Sequence, residues 1–122
     1  MSAFAQDMKD KYGVTVLMSH EKDPLGTFGA IKQAEDMLRS SDSQSSFFVC
    51  NADIICDYPF QEMIDYMQEH PSAEGVIALT KVLEPQKYGV VLFNEEGRVT
   101  QFVEKPAVWV GDQINAGIYL LK

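Results

Sequence analysis

The chain has 122 residues, of which 46% are hydrophobic and 23% are charged, and its formal net charge at neutral pH is −8. These values are typical of one small globular domain and argue against an intrinsically disordered chain. The acidic charge argues against a nucleic-acid groove, which needs clustered Lys and Arg, but it is compatible with a nucleotide site built from backbone N–H groups and a few cations.

Cysteines and hydropathy indicate the compartment. Cys50 and Cys56 lie within or just after an apolar run, so both are expected to be buried thiols in a reducing environment. No apolar run approaches the roughly 18 residues of a membrane span, and the first ten residues show no secretory signal pattern. We therefore expect a cytoplasmic protein with no membrane partner.

Periodicity and turn residues predict alternating helices and strands. Three helices are expected, one near the N-terminus, one capped by Thr27 and running from Phe28 to about Arg39, and one capped by Asp57. A Ser-rich linker is predicted from Ser40 to Ser46. Strands are predicted over 14–18, 47–50, 75–81, 88–93, 98–103 and 114–121. The run at 47–50 is expected to be a buried parallel strand, and the element order predicts an α/β sheet with helices on both faces.

Asp53 is the first candidate for chemistry. It lies just past a predicted buried strand, where a carboxylate is costly unless something pairs with it. Mg²⁺ with nucleotide phosphates is such a partner, and it typically takes only one or two carboxylates. The alternative is an Asp that only caps a turn.

Two glycine positions predict close approach of a ligand to the backbone. Pro24–Thr27 precedes a helix, where Gly26 has no side chain and the first N–H groups are free. Without a second glycine and a lysine it is not a P-loop. Gly89 opens a strand. The alternatives are an ordinary loop with a cap at the first position and a bulge at the second.

Two further segments contain residues that could bind a ligand. Glu104 accepts hydrogen bonds of the kind that sugar hydroxyls donate, and Lys105 beside it is a compact charge for a phosphate. Asn115 is an amide within an apolar strand and requires a partner, while Gly117 leaves room for an approaching group. The alternatives are a solvated Glu-Lys pair and, again, a bulge.

The five candidate segments form an ordered set of blocks. In sequence these are Glu-x-x-Pro-Leu-Gly-Thr (21–27), Phe-Phe-Val-Cys-Asn-Ala-Asp (47–53), Lys-Tyr-Gly-Val-Val (87–91), Phe-Val-Glu-Lys-Pro (102–106) and Ile-Asn-Ala-Gly-Ile-Tyr (114–119). Their order and spacing resemble the central part of the GDP-mannose pyrophosphorylases, which are sugar-1-phosphate nucleotidyltransferases. The resemblance implies that 1–122 is the central part of a catalytic domain with a Rossmann-like, glycosyltransferase-A-like mixed sheet.

The resemblance also implies a role for each candidate residue. Leu25, Gly26 and Thr27 would lie along the base and ribose of GTP, with Asn51 nearby. Asp53 would hold Mg²⁺ and, with Lys105, form the catalytic set. The sugar and phosphate of mannose-1-phosphate would be bound by Gly89, Glu104, Lys105, Asn115 and Gly117. The implied products are GDP-mannose and pyrophosphate.

Departures from the family pattern leave alternatives open. The family's opening strand with its G-G-x-G-T-R-L-x-P-L-T loop, its second metal-binding aspartate and its C-terminal β-helix have no counterpart in these residues. We therefore expect a chain that is inactive alone and that associates with another copy or with other segments of the enzyme. A non-catalytic relative that binds a nucleotide sugar is the first alternative, and a glucose-1-phosphate enzyme using UTP or dTTP is the second.

Overall fold

The computed structural model describes residues 2–39 and 45–122, and the chain forms two compact units, Met1–Ser43 and Gln44–Lys122. The helices of the first unit are α1 (Ala3–Tyr12), α2 (Gly26–Gln33) and α3 (Glu35–Leu38). The second unit contains β1 (Phe47–Cys50), α4 (Phe60–Glu69), β2 (Gly75–Lys81), a 3-10 turn (Pro85–Lys87), β3 (Gly89–Phe93), β4 (Val99–Glu104) and β5 (Gln113–Leu121). The linker predicted over 40–46 lies largely outside the described residues.

Local signals determine the first unit. Ser2 caps α1 by accepting a hydrogen bond from the Ala5 amide at 3.2 Å, and Gly13 ends the helix in the left-handed conformation, as its position predicts. The strand predicted over 14–18 is wrong, because these residues are irregular and Val14, Leu17 and Met18 are at least half exposed. A strand needs a neighbour, and the described part of this unit contains none.

The second helix differs from its prediction. It begins at Gly26 with Leu25 as N-cap and no side-chain cap, so Thr27 lies inside the helix and does not cap it. The predicted single helix to Arg39 is divided at Ala34, where α2 ends and the four-residue α3 begins. Asp57 does not cap α4 either, since Pro59 holds the N-cap position.

The sheet of the second unit is built around β5. Strands run in the order β1-β5-β3-β4, and β2 also pairs with β5. Every pairing between described strands is antiparallel. The prediction of a buried parallel strand at Phe47–Cys50 is therefore wrong, because a short apolar run does not indicate the direction of its partner. The strand is also only partly buried, with Cys50 exposed.

The core lies between α4 and one face of this sheet. Met63 and Met67 on α4 pack with Ile118 and Leu120 on β5, with partly buried Phe48 and other apolar side chains around them. Burying each such side chain contributes roughly 1.5–3 kcal/mol. The period predicted for α4 is confirmed at its two buried methionines.

Several side chains expected inside are exposed. Cys50 and Cys56, predicted to be buried, are exposed free thiols. The large apolar side chains of Trp109 and Phe102 are also exposed. Within the ranges 2–39 and 45–122, no helix has both the length and the apolar character needed to cross a bilayer.

Candidate functional site

The end of β1 meets β5 at Asn51. The Asn51 amide donates to the carbonyl oxygen of Gly117 at 2.9 Å, which adds one bond beyond the Cys50–Ile118 pair. Asn51 then begins a turn, in which the amide of Ile54 donates to its carbonyl at 3.4 Å. Asp53 lies in this turn with its side chain exposed. The turn therefore holds Asp53 at the carboxyl end of β1, as predicted.

A bulge in β5 brings Gly117 to Asn51. The β2 residues Ile77 and Leu79 pair with Tyr119 and Asn115, so two steps on β2 oppose four steps on β5. Gly117 lies within the extra length at φ 74, a left-handed conformation that suits glycine. The sequence analysis gives a bulge at Gly117 as the alternative to room for a ligand, and the structure contains that bulge.

Close packing explains why residue 117 is a glycine. A Cβ added at Gly117 would lie 2.6 Å from Asn51 Nδ2 and 3.2 Å from Asn51 Cβ, both too short for an ordinary contact. The group that approaches Gly117 is therefore the Asn51 side chain of the same protein. Both residues were assigned to the site from the sequence, and the structure brings them together.

Asn115 has both halves of its amide satisfied. Its Oδ1 accepts from the Gly117 amide at 2.9 Å, and its Nδ2 donates to the Tyr119 hydroxyl at 2.6 Å. Tyr119 is buried and belongs to the site, although the sequence analysis does not name it as a site residue. A signal was present, because a buried tyrosine hydroxyl needs a partner and a strand amide lies four residues earlier.

Gly89, Glu104 and Lys105 meet at the adjoining strand ends. Gly89 pairs with Glu104, and a Cβ at Gly89 would lie 3.0 Å from Glu104 Oε2. The Lys105 amide donates to the Tyr88 carbonyl at 3.1 Å. Val90 of β3 pairs antiparallel with Ile114 of β5. Gly89, which precedes Val90, and Asn115, which follows Ile114, therefore lie on the same side of this pair. The residues predicted to bind the sugar therefore lie together where these strands end, at one edge of the sheet.

Lys105 has an unusual backbone conformation. Its φ is 40, and it is the one non-glycine residue with positive φ in the described chain. Such a conformation is uncommon for a residue with a side chain and is often found at ligand sites. It lies between Glu104 at the end of β4 and the buried Pro106, so the neighbouring structure fixes it.

The charged groups of this edge are unpaired in the described part of the chain. Asp53, Glu104 and Lys105 make no side-chain hydrogen bond or ion pair there, and all three are exposed. Within residues 2–39 and 45–122, no three His, Cys, Asp or Glu side chains are grouped to hold a metal. Asp53 still fits Mg²⁺ as a single protein ligand, since that ion commonly takes one carboxylate and completes its shell with water and phosphate.

Leu25, Gly26 and Thr27 belong to the first unit. Gly26 has φ 69 and open space where a Cβ would project, so its backbone is accessible. The loop before α2 is tied to the helix by Gln33, whose Nε2 donates to the His20 carbonyl at 2.7 Å and to Ser19 Oγ at 3.2 Å. The predicted nucleotide segment is therefore an ordered loop at the start of a helix.

Comparison with known proteins gives consistent relatives. A family model described as "Nucleotidyl transferase" matches residues 2–122. The chain is similar to mannose-1-phosphate guanylyltransferase catalytic subunit beta of Danio rerio, at 48% identity over 113 residues, covering 92% of this chain and 31% of that protein. The Dictyostelium discoideum protein of the same name is 46% identical over 121 residues, 98% of this chain and 33% of its own length. The chain thus spans about a third of the curated relatives it matches.

Solved structures show the same fold. HddC from Yersinia pseudotuberculosis superimposes with a TM-score of 0.69 at 27% identity, over 97% of this chain and 50% of that chain, and it has also been solved complexed with GMP-PN. A putative glucose-1-phosphate thymidylyltransferase from Bacillus anthracis superimposes with a TM-score of 0.73 at 18% identity, over 97% and 46% of the two chains. The α/β nucleotidyltransferase fold class expected from the sequence is confirmed.

Proposed function

The chain belongs to the nucleotidyl transferase family, and on that premise we propose that it forms part of an enzyme that makes GDP-mannose and pyrophosphate from GTP and mannose-1-phosphate. The observation that carries this proposal is the shared sheet edge, where Gly89, Glu104 and Lys105 adjoin Asn115 of β5. The names of the relatives support the mannose and guanine specificity.

The proposed reaction joins the phosphate of mannose-1-phosphate to the α-phosphorus of GTP. An oxygen of the sugar phosphate forms the new P–O bond, the bond between the α-phosphorus and the bridging oxygen breaks, and pyrophosphate leaves with that electron pair. Lys105 would bind the sugar phosphate and offset its charge, because its ammonium has no other partner in the described part of the chain. Positioning and charge neutralisation supply most of the catalysis in such a transfer.

The remaining groups would bind and orient substrate. Glu104 would accept hydrogen bonds from sugar hydroxyls, and Gly89 would give a backbone N–H to the sugar. Asn51 would lie along the nucleoside, and the same role is proposed for Leu25–Thr27 of the first unit. Asp53 would hold Mg²⁺, and the ion would neutralise charge on the α-phosphate when bound. The cytoplasm remains the proposed location.

The isolated 122-residue chain is proposed to bind GDP-mannose without turning over GTP. Calorimetric titration of the chain with GDP-mannose and Mg²⁺ tests the binding, and release of pyrophosphate from GTP plus mannose-1-phosphate tests turnover. We expect Lys105→Ala to weaken the binding about tenfold or more and Lys122→Ala, at the far end of β5, to preserve it. No binding by the unsubstituted chain would contradict the proposal.

Two further outcomes separate the alternatives. Equal or tighter binding of UDP-glucose or dTDP-glucose would favour a glucose-1-phosphate enzyme. Tight binding of GDP-mannose by an intact protein that never releases pyrophosphate would favour a non-catalytic relative. All three nucleotide sugars are titrated into the same protein preparation, so that their affinities are compared directly.

Association of the chain with another copy, or with other segments of the enzyme, is proposed from the edge of β1. One side of β1 pairs with β5, and no described strand pairs with the other side. An unpaired apolar strand edge is a template for further pairing. Light scattering over a dilution series is expected to show species above the 13.7 kDa monomer, and a stable monomer at every concentration would contradict this.

A further inference from the structure

Tyr119 is hydrogen-bonded to Asn115, one of the predicted sugar-binding residues. Its side chain is buried on β5 at 5% exposure, and its hydroxyl accepts a hydrogen bond from Asn115 Nδ2 at 2.6 Å. Through this hydrogen bond Tyr119 acts on the position of Asn115.

The Gly117 N–H, which can only donate, determines which way the Asn115 amide faces. With Nδ2 directed at the hydroxyl oxygen, Oδ1 is directed at the Gly117 amide and accepts its hydrogen at 2.9 Å. A flipped amide would place two donors at Gly117 N and lose that bond. The Gly117 N–H thus selects the one orientation that closes the bulge, and the Tyr119 hydroxyl, which can accept as well as donate, holds the Nδ2 end of the amide in place.

The closed bulge in turn positions Asn51. The Gly117 carbonyl accepts from the Asn51 amide at 2.9 Å, and the Asn51 side chain packs where a Cβ of residue 117 would lie. Asn51 begins the turn that contains Asp53. One chain of hydrogen bonds therefore runs from Tyr119 through Asn115 and Gly117 to Asn51.

We propose that Tyr119 is a positioning residue, whose hydroxyl fixes the sugar side of the pocket at Asn115 relative to the nucleotide side at Asn51. The inference rests on the proposed function for the identity of the two sides. The hydrogen-bond chain itself does not depend on that function. A nucleotide sugar, which occupies both sides at once, is the ligand whose affinity is most sensitive to their separation.

The test compares Tyr119→Phe with Tyr66→Phe, which removes a hydroxyl that approaches Gly97 on the β3–β4 turn. Amide hydrogen exchange of the ¹⁵N-labelled chain is measured at Asn51 and Gly117 and along the β3–β4 pairing. Titration with GDP-mannose and Mg²⁺ is run on the same samples. We expect Tyr119→Phe to speed exchange at Asn51 and Gly117 about tenfold and to weaken GDP-mannose binding about tenfold, with the β3–β4 amides unchanged.

Each result decides a separate point. Unchanged exchange at Asn51 and Gly117 in Tyr119→Phe would overturn the inference, whether or not the chain binds ligand. Faster exchange with unchanged GDP-mannose affinity would also overturn it, because the hydroxyl would then be only structural. Absence of binding by the unsubstituted chain would count against the proposed function, and the exchange result would still decide the positioning. If Tyr119→Phe loses protection throughout β3–β4, Asn115→Leu replaces it and is expected to speed exchange at Gly117, whose amide loses its acceptor, and at Asn51. Unchanged exchange at both amides would overturn the inference.

Discussion

Gly117 and Asn51 are in direct contact, by a backbone hydrogen bond of 2.9 Å and by a side chain that occupies the space of a Cβ. The contact joins the bulge of β5 to the end of β1. Because of this contact, both the fold and the proposed site require a glycine at position 117.

Gly117→Ala is expected to destabilise the protein strongly. The left-handed conformation costs about 1–2 kcal/mol for a residue with a Cβ, and moving the Asn51 side chain adds about 1–3 kcal/mol. Denaturant unfolding measures the sum. Gly13→Ala is the control, because Gly13 is also left-handed at φ 67 but has open space around it, so a similar loss in both variants would show that the Asn51 contact is unimportant.

Asp53→Asn is expected to remove the effect of Mg²⁺ on GDP-mannose binding. The side chain is exposed and unpaired within the described residues, so its neutralisation should change unfolding free energy by less than about 0.5 kcal/mol. Affinity in the presence of Mg²⁺ should fall about tenfold, since a charged contact contributes about 1.5 kcal/mol. Asp57→Asn is the matched control, and full Mg²⁺ dependence in Asp53→Asn would disprove the metal assignment.

Two substitutions of Lys105 separate the effect of its backbone strain from the effect of its charge. Both Lys105→Gly and Lys105→Ala remove the ammonium, so both should weaken GDP-mannose binding about tenfold or more. Only glycine relieves the positive φ of 40, so the glycine variant should be about 1 kcal/mol more stable than the alanine variant. Equal unfolding midpoints for the two variants would contradict strain at this position.

Glu35 provides a pH-dependent prediction in the first unit. Hydrogen bonding and charge from Lys32, followed by charge from Arg39, lower the pKa of Glu35 below its ordinary value of 4.5. A lowered folded pKa stabilises the fold above the ordinary value, and this contribution is lost as the pH falls through the folded pKa.

Lys32→Ala should raise the pKa of Glu35 toward the ordinary value, as measured by NMR titration of its side-chain carboxyl carbon. Because Lys32 and Glu35 are exposed, added salt should reduce the difference in the Glu35 pKa between the unsubstituted protein and Lys32→Ala. Lys11→Ala, which removes the partner of Asp7, serves as the control and should leave the Glu35 titration unchanged.

Elements with local signals were predicted well. The β3–β4 hairpin forms where Asn94 and Gly97 indicate it, with Asn94 Oδ1 accepting from the amides of Glu96 and Arg98 at 3.1 and 2.9 Å. The apolar face of α4 is likewise a short-range pattern. Such signals depend on neighbours within a few residues, which the sequence contains directly.

Long-range features were predicted less well. The residues at 14–18 have strand composition but remain irregular, and β1 pairs antiparallel, because pairing partners lie far away in sequence. Within the site, residue types indicated which positions carry chemistry. They did not indicate that the group approaching Gly117 is Asn51, that Tyr119 supports Asn115, or that Lys105 has a positive φ.

Because β5 is central in the sheet, the two parts of the proposed pocket differ in how well they tolerate amino-acid substitutions. Asn115 and Gly117 lie on the strand that also supplies Ile118 and Leu120 to the core, whereas Glu104 and Lys105 lie at the end of β4, the outermost strand of the β1-β5-β3-β4 path. Changing the first pair to alter sugar preference therefore puts folding at risk. Variation around Glu104 and Lys105 is the safer route to a new specificity, and related enzymes are expected to diverge there first.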